Sequence, residues 1–246
     1  MSRSRTAALL VVAIVLLLAA CGGDDEGSGD EKKSSTTSTT APTGPTLPDP
    51  ADDPETVAEA MNLSTTDFME DWTATDSPEG TVEQLEACFT SVEVADVAGA
   101  GVAGSRFTRK ETPGDQVISS VAFVVEDVPS AEAMVAEVAD EAFATCARDV
   151  LVAGFESDGV VVQEATLAPV DDAPDLGEEA SALRGAITID GPAGDAPTEG
   201  ELGFTVLRTK TVVSAVWVVD VGGDNEFQAL FEDSASAVNV KHGMVP

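Results

Sequence analysis

The sequence predicts an α+β fold, an antiparallel sheet with helices packed on it, in a single domain over residues 52–246. Three observations carry that expectation. Six segments have the composition and patterning of strands. Short turn-rich connections join them in pairs, which favours antiparallel neighbours. A set of strands is followed by a segment of helical periodicity twice in the chain.

The elements follow in order. Asp53-Pro54-Glu55 opens a short helix through Met61, with proline at its first position. Ser64 to Asp71 reads as another helical turn, leading into Trp72. At its start, Asn62-Leu63-Ser64 matches a glycosylation sequon, taken as coincidence. Val82, Leu85 and Phe89 recur at helical spacing, so Glu79 to Phe89 is expected to be a helix carrying Cys88. Ser91 to Gly104, rich in Val, Ala and Gly, reads partly as loop.

Ser105 to Glu111 and Gln116 to Glu126 read as two strands joined by Thr112-Pro113-Gly114-Asp115. In the second, Val117, Val121, Phe123 and Val125 share one face, while Ile118, Ala122 and Val124 fill the other. Apolar residues on both faces mark a central strand. One long helix is expected from Ala131 to about Val150, capped by Ser130, with Met134, Val138, Ala142, Cys146 and Val150 as its buried stripe. Gly159 to Ala168, Ala180 to Asp190, Glu201 to Lys210 and Val212 to Val221 read as further strands, the last two forming a tight hairpin about Thr211. Asp224 is expected to cap a final helix bearing Phe227, Leu230, Phe231 and Val238.

Ahead of this domain, Arg3 and Arg5 precede an uncharged apolar run from Thr6 to Leu18 that ends in Leu18-Ala19-Ala20-Cys21. A basic start, an apolar middle and a small-residue cut site make a secretory signal over residues 1–20. The run is short of the roughly 20 apolar residues that a spanning helix needs. A cysteine directly after Leu-Ala-Ala resembles the lipobox of bacterial lipoproteins. That resemblance implies cleavage before Cys21 and its acylation, including palmitate, which places the chain on the outer side of the cell membrane as a lipid-anchored protein. Residues 21–51 then read as a disordered tether. Its run from Ser34 to Thr40, followed by Pro42, Pro45, Pro48 and Pro50, has almost no apolar surface to offset ordering entropy.

With Cys21 assigned to lipid, Cys88 and Cys146 remain as an even pair. Outside the cytoplasm such a pair is expected to form a disulfide. A metal site or a thiol nucleophile is the alternative, and neither has histidine support, since His242 is the only one and lies near the end of the chain, where a solvated residue is expected.

A formal net charge of −33 excludes nucleic acid as a partner, because the field repels polyanions. Asp171-Asp172, Asp175 and Glu178-Glu179 are rich in oxygen ligands but do not fit the EF-hand spacing. No Gly-x-Ser-x-Gly elbow, His-Glu-x-x-His or P-loop is present, so no enzyme and no cofactor are expected. A carboxylate-pair hydrolase is the one catalytic alternative that composition leaves open. Against so much acid, the rare cations Arg106, Lys110, Arg184, Arg208 and Lys210 are the candidates for an anion or carboxylate site, or else they form ordinary surface ion pairs.

The lipobox, the Ser/Thr/Pro tether, a short helix running to Asp71-Trp72 and the Cys88/Cys146 pair together resemble actinobacterial surface lipoproteins. The pattern is similar to the extracellular sensor domain of PknH-type serine/threonine kinases and to LpqN-like lipoproteins. A segment like Leu176 to Arg184, opening a strand, belongs to the same resemblance. It implies a sensor-like α+β domain over about residues 54 to 240, and a second disulfide for which this chain has no cysteines. The expected function is therefore a non-catalytic module of the cell envelope, binding an unidentified ligand or protein. The alternative is a structural or assembly lipoprotein.

Overall fold

Within the domain, the most apolar strand, Val212–Val221, lies at the middle of the sheet. The structure, a computed structural model, describes residues 47–68, 71–78, 80–90, 98–110, 115–171, 173, 175–190, 196–222 and 226–246. Cys21, the tether before residue 47, Asp172, Asp224 and most of the expected turn at 112–115 lie outside these residues.

Among the described residues, nine strands form one antiparallel sheet: β1 (Thr73–Thr75), β2 (Ala98–Ala103), β3 (Arg106–Lys110), β4 (Asp115–Val125), β5 (Val162–Ala165), β6 (Ala168–Pro169), β7 (Glu179–Ile189), β8 (Thr198–Thr209) and β9 (Val212–Val221). Their order is β1-β3-β4-β9-β8-β7-β5, with β2 beside β4 and β6 beside β7. The hairpin between β8 and β9 closes over Lys210 and Thr211, with Lys210 at φ 54°. β9 is buried along its whole length, as a strand covered on both faces must be.

Five helices are present among the described residues: α1 (Pro54–Met61), α2 (Thr81–Glu86), α3 (Val128–Glu137), α4 (Glu141–Ser157) and α5 (Phe227–His242). They cover both faces. Val121, Phe123, Val125, Phe204 and Trp217 pack with α3 and α4, and with Leu85 and Phe89. On the other face Phe107, Ile118, Leu207, Val216 and Val218 pack with Phe227, Phe231 and Val238 of α5, while Ala122, Val124 and Val212 pack with α1. The alternation expected along β4 thus separates two cores. An aromatic chain runs through the first, from Phe89 to Phe143 to Phe204 to Trp217, with ring centroids 4.8, 5.7 and 4.7 Å apart.

Local chemistry accounts for the ends. Asp53 accepts a hydrogen bond from Thr56 N, and Pro54 fills the first helical position of α1. Asn62, inside the sequon, is buried. It donates through Nδ2 to Val102 O and accepts at Oδ1 from Ser120 Oγ, so it locks α1 to the sheet. Gly203 provides the seat of α5, where a Cβ would stand 2.3 Å from Phe231 Cδ2.

The structure departs from the sequence reading at three points. The single helix expected from Ala131 to about Val150 is two, α3 and α4, broken at Val138 to Asp140 by tight turns from Ala139 N to Ala136 O and Asp140 N to Glu137 O. Its cap is Asp127, which accepts from Ser130 N, rather than Ser130 itself. The break rephases the second helix, so Phe143, Ala144, Ala147 and Phe155 face the sheet and Ala142 is exposed. His242 is not solvated. It is 1% exposed, and its Nε2 lies 2.8 Å from Ser214 Oγ on β9. Finally, the strand expected over Gly159 to Ala168 is divided into β5 and β6.

Candidate functional site

A half-open cavity of about 120 Å³ lies between α4 and the sheet. Its floor is one cross-strand row. Ser119 on β4 pairs with Trp217 on β9, and Arg106 on β3 stands one step on from the Phe107–Ile118 pair, which sets it beside Ser119. Val117 and Val219 complete the floor. Leu151, Gly154 and Phe155 of α4 form the roof, and Thr81 and Gln84 of α2 close one side.

Residue size creates the space. Ser119 is small where its row neighbour Trp217 is large, and Gly154 carries no side chain; a Cβ there would meet nothing within 4 Å. The walls are mostly apolar. The Ser119 hydroxyl makes no hydrogen bond among the described residues. Trp217 is 5% exposed, its ring packed on Phe204, and its indole N–H is buried without an acceptor among those residues.

Arg106 stands at the mouth with its side chain 17% exposed. It pairs with Asp158, which caps the end of α4, and its guanidinium carbon lies 5.7 Å from the Phe155 ring centroid. Two broader hollows meet the cavity at this same residue. Their linings add Asp76, Asp115, Asp158 and Asp190, and Arg106 is the one cation among the described residues lining any of the three.

The other candidate cations lie elsewhere. Lys110 is exposed at the far end of β3. Arg184 is on the opposite face, 4.7 Å above the Phe231 ring and 5.6 Å from that of Phe227. Arg208 is held by three carboxylates, Glu132, Glu178 and Glu179, at 3.0, 2.9 and 2.9 Å. Lys210 donates its backbone N–H to Glu178, and its ammonium pairs with Pro246 O. The acidic run Asp171 to Glu179 therefore supplies counter-charges for Arg208, and no cluster able to hold a metal ion occurs among the described residues.

Cys88 and Cys146 are bonded, with Cα atoms 5.5 Å apart. The bridge ties the end of α2 to the middle of α4, the two helices that border the cavity. The cavity's described lining holds no carboxylate. Three perturbed groups among the described residues sit outside it. Hydrogen bonds from the Ser130 side chain and backbone lower the carboxyl of Asp127. Burial, and then the charge of Glu83, raise the carboxyl of Glu86. Burial lowers His242 to about 4.

Sequence reasoning named Arg106 for its rarity but missed Ser119, Gly154 and Phe155. Each is a residue type that sequence alone assigns to ordinary filling, and only the crossing of α4 over the row makes them neighbours.

No family model matches the chain, and no curated protein matches it. Among solved structures, the chain is similar to the extracellular domain of PknH from Mycobacterium tuberculosis. Identity is 12%, the TM-score is 0.44, and the match covers 76% of this chain and 94% of that one. It is also similar to LpqN of the same organism, described as involved in cell envelope biogenesis, with 12% identity, a TM-score of 0.30, and 70% and 78% of the two chains covered.

Proposed function

We propose that the chain is a lipid-anchored extracytoplasmic protein whose domain is a non-catalytic binding module, with its ligand site in the cavity beneath α4. The observation that carries the ligand site is the cavity itself. It is preformed and apolar, with a free hydroxyl at Ser119 and a cation at its mouth, the usual composition of a small-molecule site. Its described lining holds no nucleophile–base pair, which favours binding over chemistry. The anchor rests on the Leu18-Ala19-Ala20-Cys21 sequence, and the tether gives a mean reach of roughly 30 Å between membrane and domain, taking about 5–6 Å × √n for a flexible chain.

Two experiments test the two halves. In cells, Cys21→Ser should move the protein from the membrane fraction to the soluble one; retention on membranes overturns the anchor. In solution, benzyl alcohol titrated into the full chain should saturably shift the amide resonances of Ser119, Leu151 and Gly154. Gly154→Leu, which fills the cavity, should abolish the response. Unmoved resonances in the unsubstituted chain overturn the ligand site.

A further inference from the structure

We propose that the cavity selects a small apolar monocarboxylate of about the size of phenylacetate, its carboxylate held by Arg106 and Ser119 and its body packed between Trp217 and Phe155. This deepens the proposed ligand site and rests on it. A dry cavity of comparable volume accommodates a benzene ring, so about 120 Å³ sets the scale of the apolar body at one ring or a chain of about six carbons. Trp217 and Phe155 give that body aromatic walls.

The head group follows from the row on the floor. Arg106 and Ser119 occupy adjacent strands on the same face, where neighbouring strands are about 4.8 Å apart. Arginine offers only donors, and the serine hydroxyl can donate as well. Donors from both sides match the two oxygens of one carboxylate, and a neutral acceptor would use the charge of Arg106 poorly.

Arg106 already holds a carboxylate. Asp158 is 43% exposed at the tip of α4, so the structure contains an exchangeable stand-in for the ligand head, which can turn outward to water when displaced. The ligand carries one negative charge and no more. Asp76, Asp115 and Asp190 ring the adjoining hollows, and with a formal charge of −33 on the chain a second negative charge meets repulsion with no second cation among the lining residues to offset it.

The test compares phenylacetate with its neutral isostere phenylacetamide on the full chain. Readouts are the Ser119, Leu151 and Gly154 amide resonances, and the emission of Trp217 in a Trp72→Phe background. Phenylacetate should bind at least about tenfold more tightly than the amide, and added salt should narrow the gap. Arg106→Gln should remove the preference, with Arg106→Lys retaining part of it. Asp158→Asn, an exposed change that leaves packing intact, should tighten phenylacetate binding several-fold by freeing Arg106. Equal binding of acid and amide, or a preference that survives Arg106→Gln, overturns the carboxylate assignment and leaves the cavity as a neutral site. If neither phenylacetate, phenylacetamide nor benzyl alcohol moves any cavity resonance, the ligand site falls with it.

Discussion

His242 makes the stability of the domain depend on pH in a direction that can be worked out from its surroundings. The imidazole is 1% exposed, its Nε2 shares a hydrogen bond with Ser214 Oγ, and Nδ1 has no partner among the described residues. Burial without a counter-charge disfavours the cation, which lowers the folded group to about 4 against 6.5 when unfolded. Above pH 6.5 neither state binds the proton and nothing is lost. As pH falls through 6.5 the unfolded chain takes up a proton that the folded chain refuses, so stability drops until pH approaches 4. At 1.36 kcal/mol per unit of separation, the loss between about pH 7 and about pH 4.5 is about 2.5 kcal/mol. The Lys241–Asp67 pair, at 3.0 Å, and the surface acids are common to both variants, so they cancel in the comparison. Urea unfolding of the full chain and of His242→Gln, followed across this range, isolates the histidine. The glutamine variant should lose about 2.5 kcal/mol less than the parent over the interval. Parallel pH profiles for the two would refute the argument, since they would mean that the folded protein accepts the proton at His242 without penalty.

Three further outcomes follow from packing and covalent structure. Replacing both Cys88 and Cys146 with alanine opens a loop of sequence separation 58 and should cost about 4 kcal/mol in the chain-entropy account, measured as a fall in the denaturant midpoint. Gly203→Ala places a Cβ 2.3 Å from Phe231 Cδ2 and 2.9 Å from Phe227 Cζ; α5 must lift, and calorimetry should show a loss of about 1–3 kcal/mol. Arg208→Met leaves Glu132, Glu178 and Glu179 facing one another around an apolar chain. Because those acids are 42–52% exposed and screened by water, the expected loss is about 1–2 kcal/mol, shrinking as salt is added.

How far the fold could be read in advance depended on whether the signal was local. Strands β7, β8 and β9 were legible because each runs ten residues or more without proline and is rich in apolar and β-branched residues, and the short connection at Lys210 and Thr211 leaves one way to pair the last two. The break between α3 and α4 was not, because Ala139 and Asp140 carry no glycine or proline to announce it. What decides it is the direction in which Phe143 and Phe155 must point to reach the sheet. His242 was misread for the same reason. Its neighbours Lys241 and Gly243 read as a solvated chain end, and its partner Ser214 sits 28 residues away inside an apolar strand. The candidate site stood between these cases. Arg106 was visible as a rare cation, but nothing in the spacing of five such cations distinguished it from Arg208, whose three acids come from α3 and the start of β7.

The two ends of the sheet bear on crowding. A nine-stranded sheet with so apolar a centre would be hazardous if it ended in a long, regular strand, since a free row of backbone donors and acceptors invites another chain to add on. Here one margin is shared by β1, three residues long and exposed throughout, and β2, six residues long, whose Val102 O is taken by the side-chain amide of Asn62. The other is divided between β5 and β6, with an irregularity of register between Val162 and Glu164 and side chains such as Gln163 and Glu164 turned to water. Among the described residues, each margin is therefore broken into short pieces rather than one long regular strand. Broken, short margins of this kind are a device by which β-sheet proteins limit edge-to-edge pairing between copies.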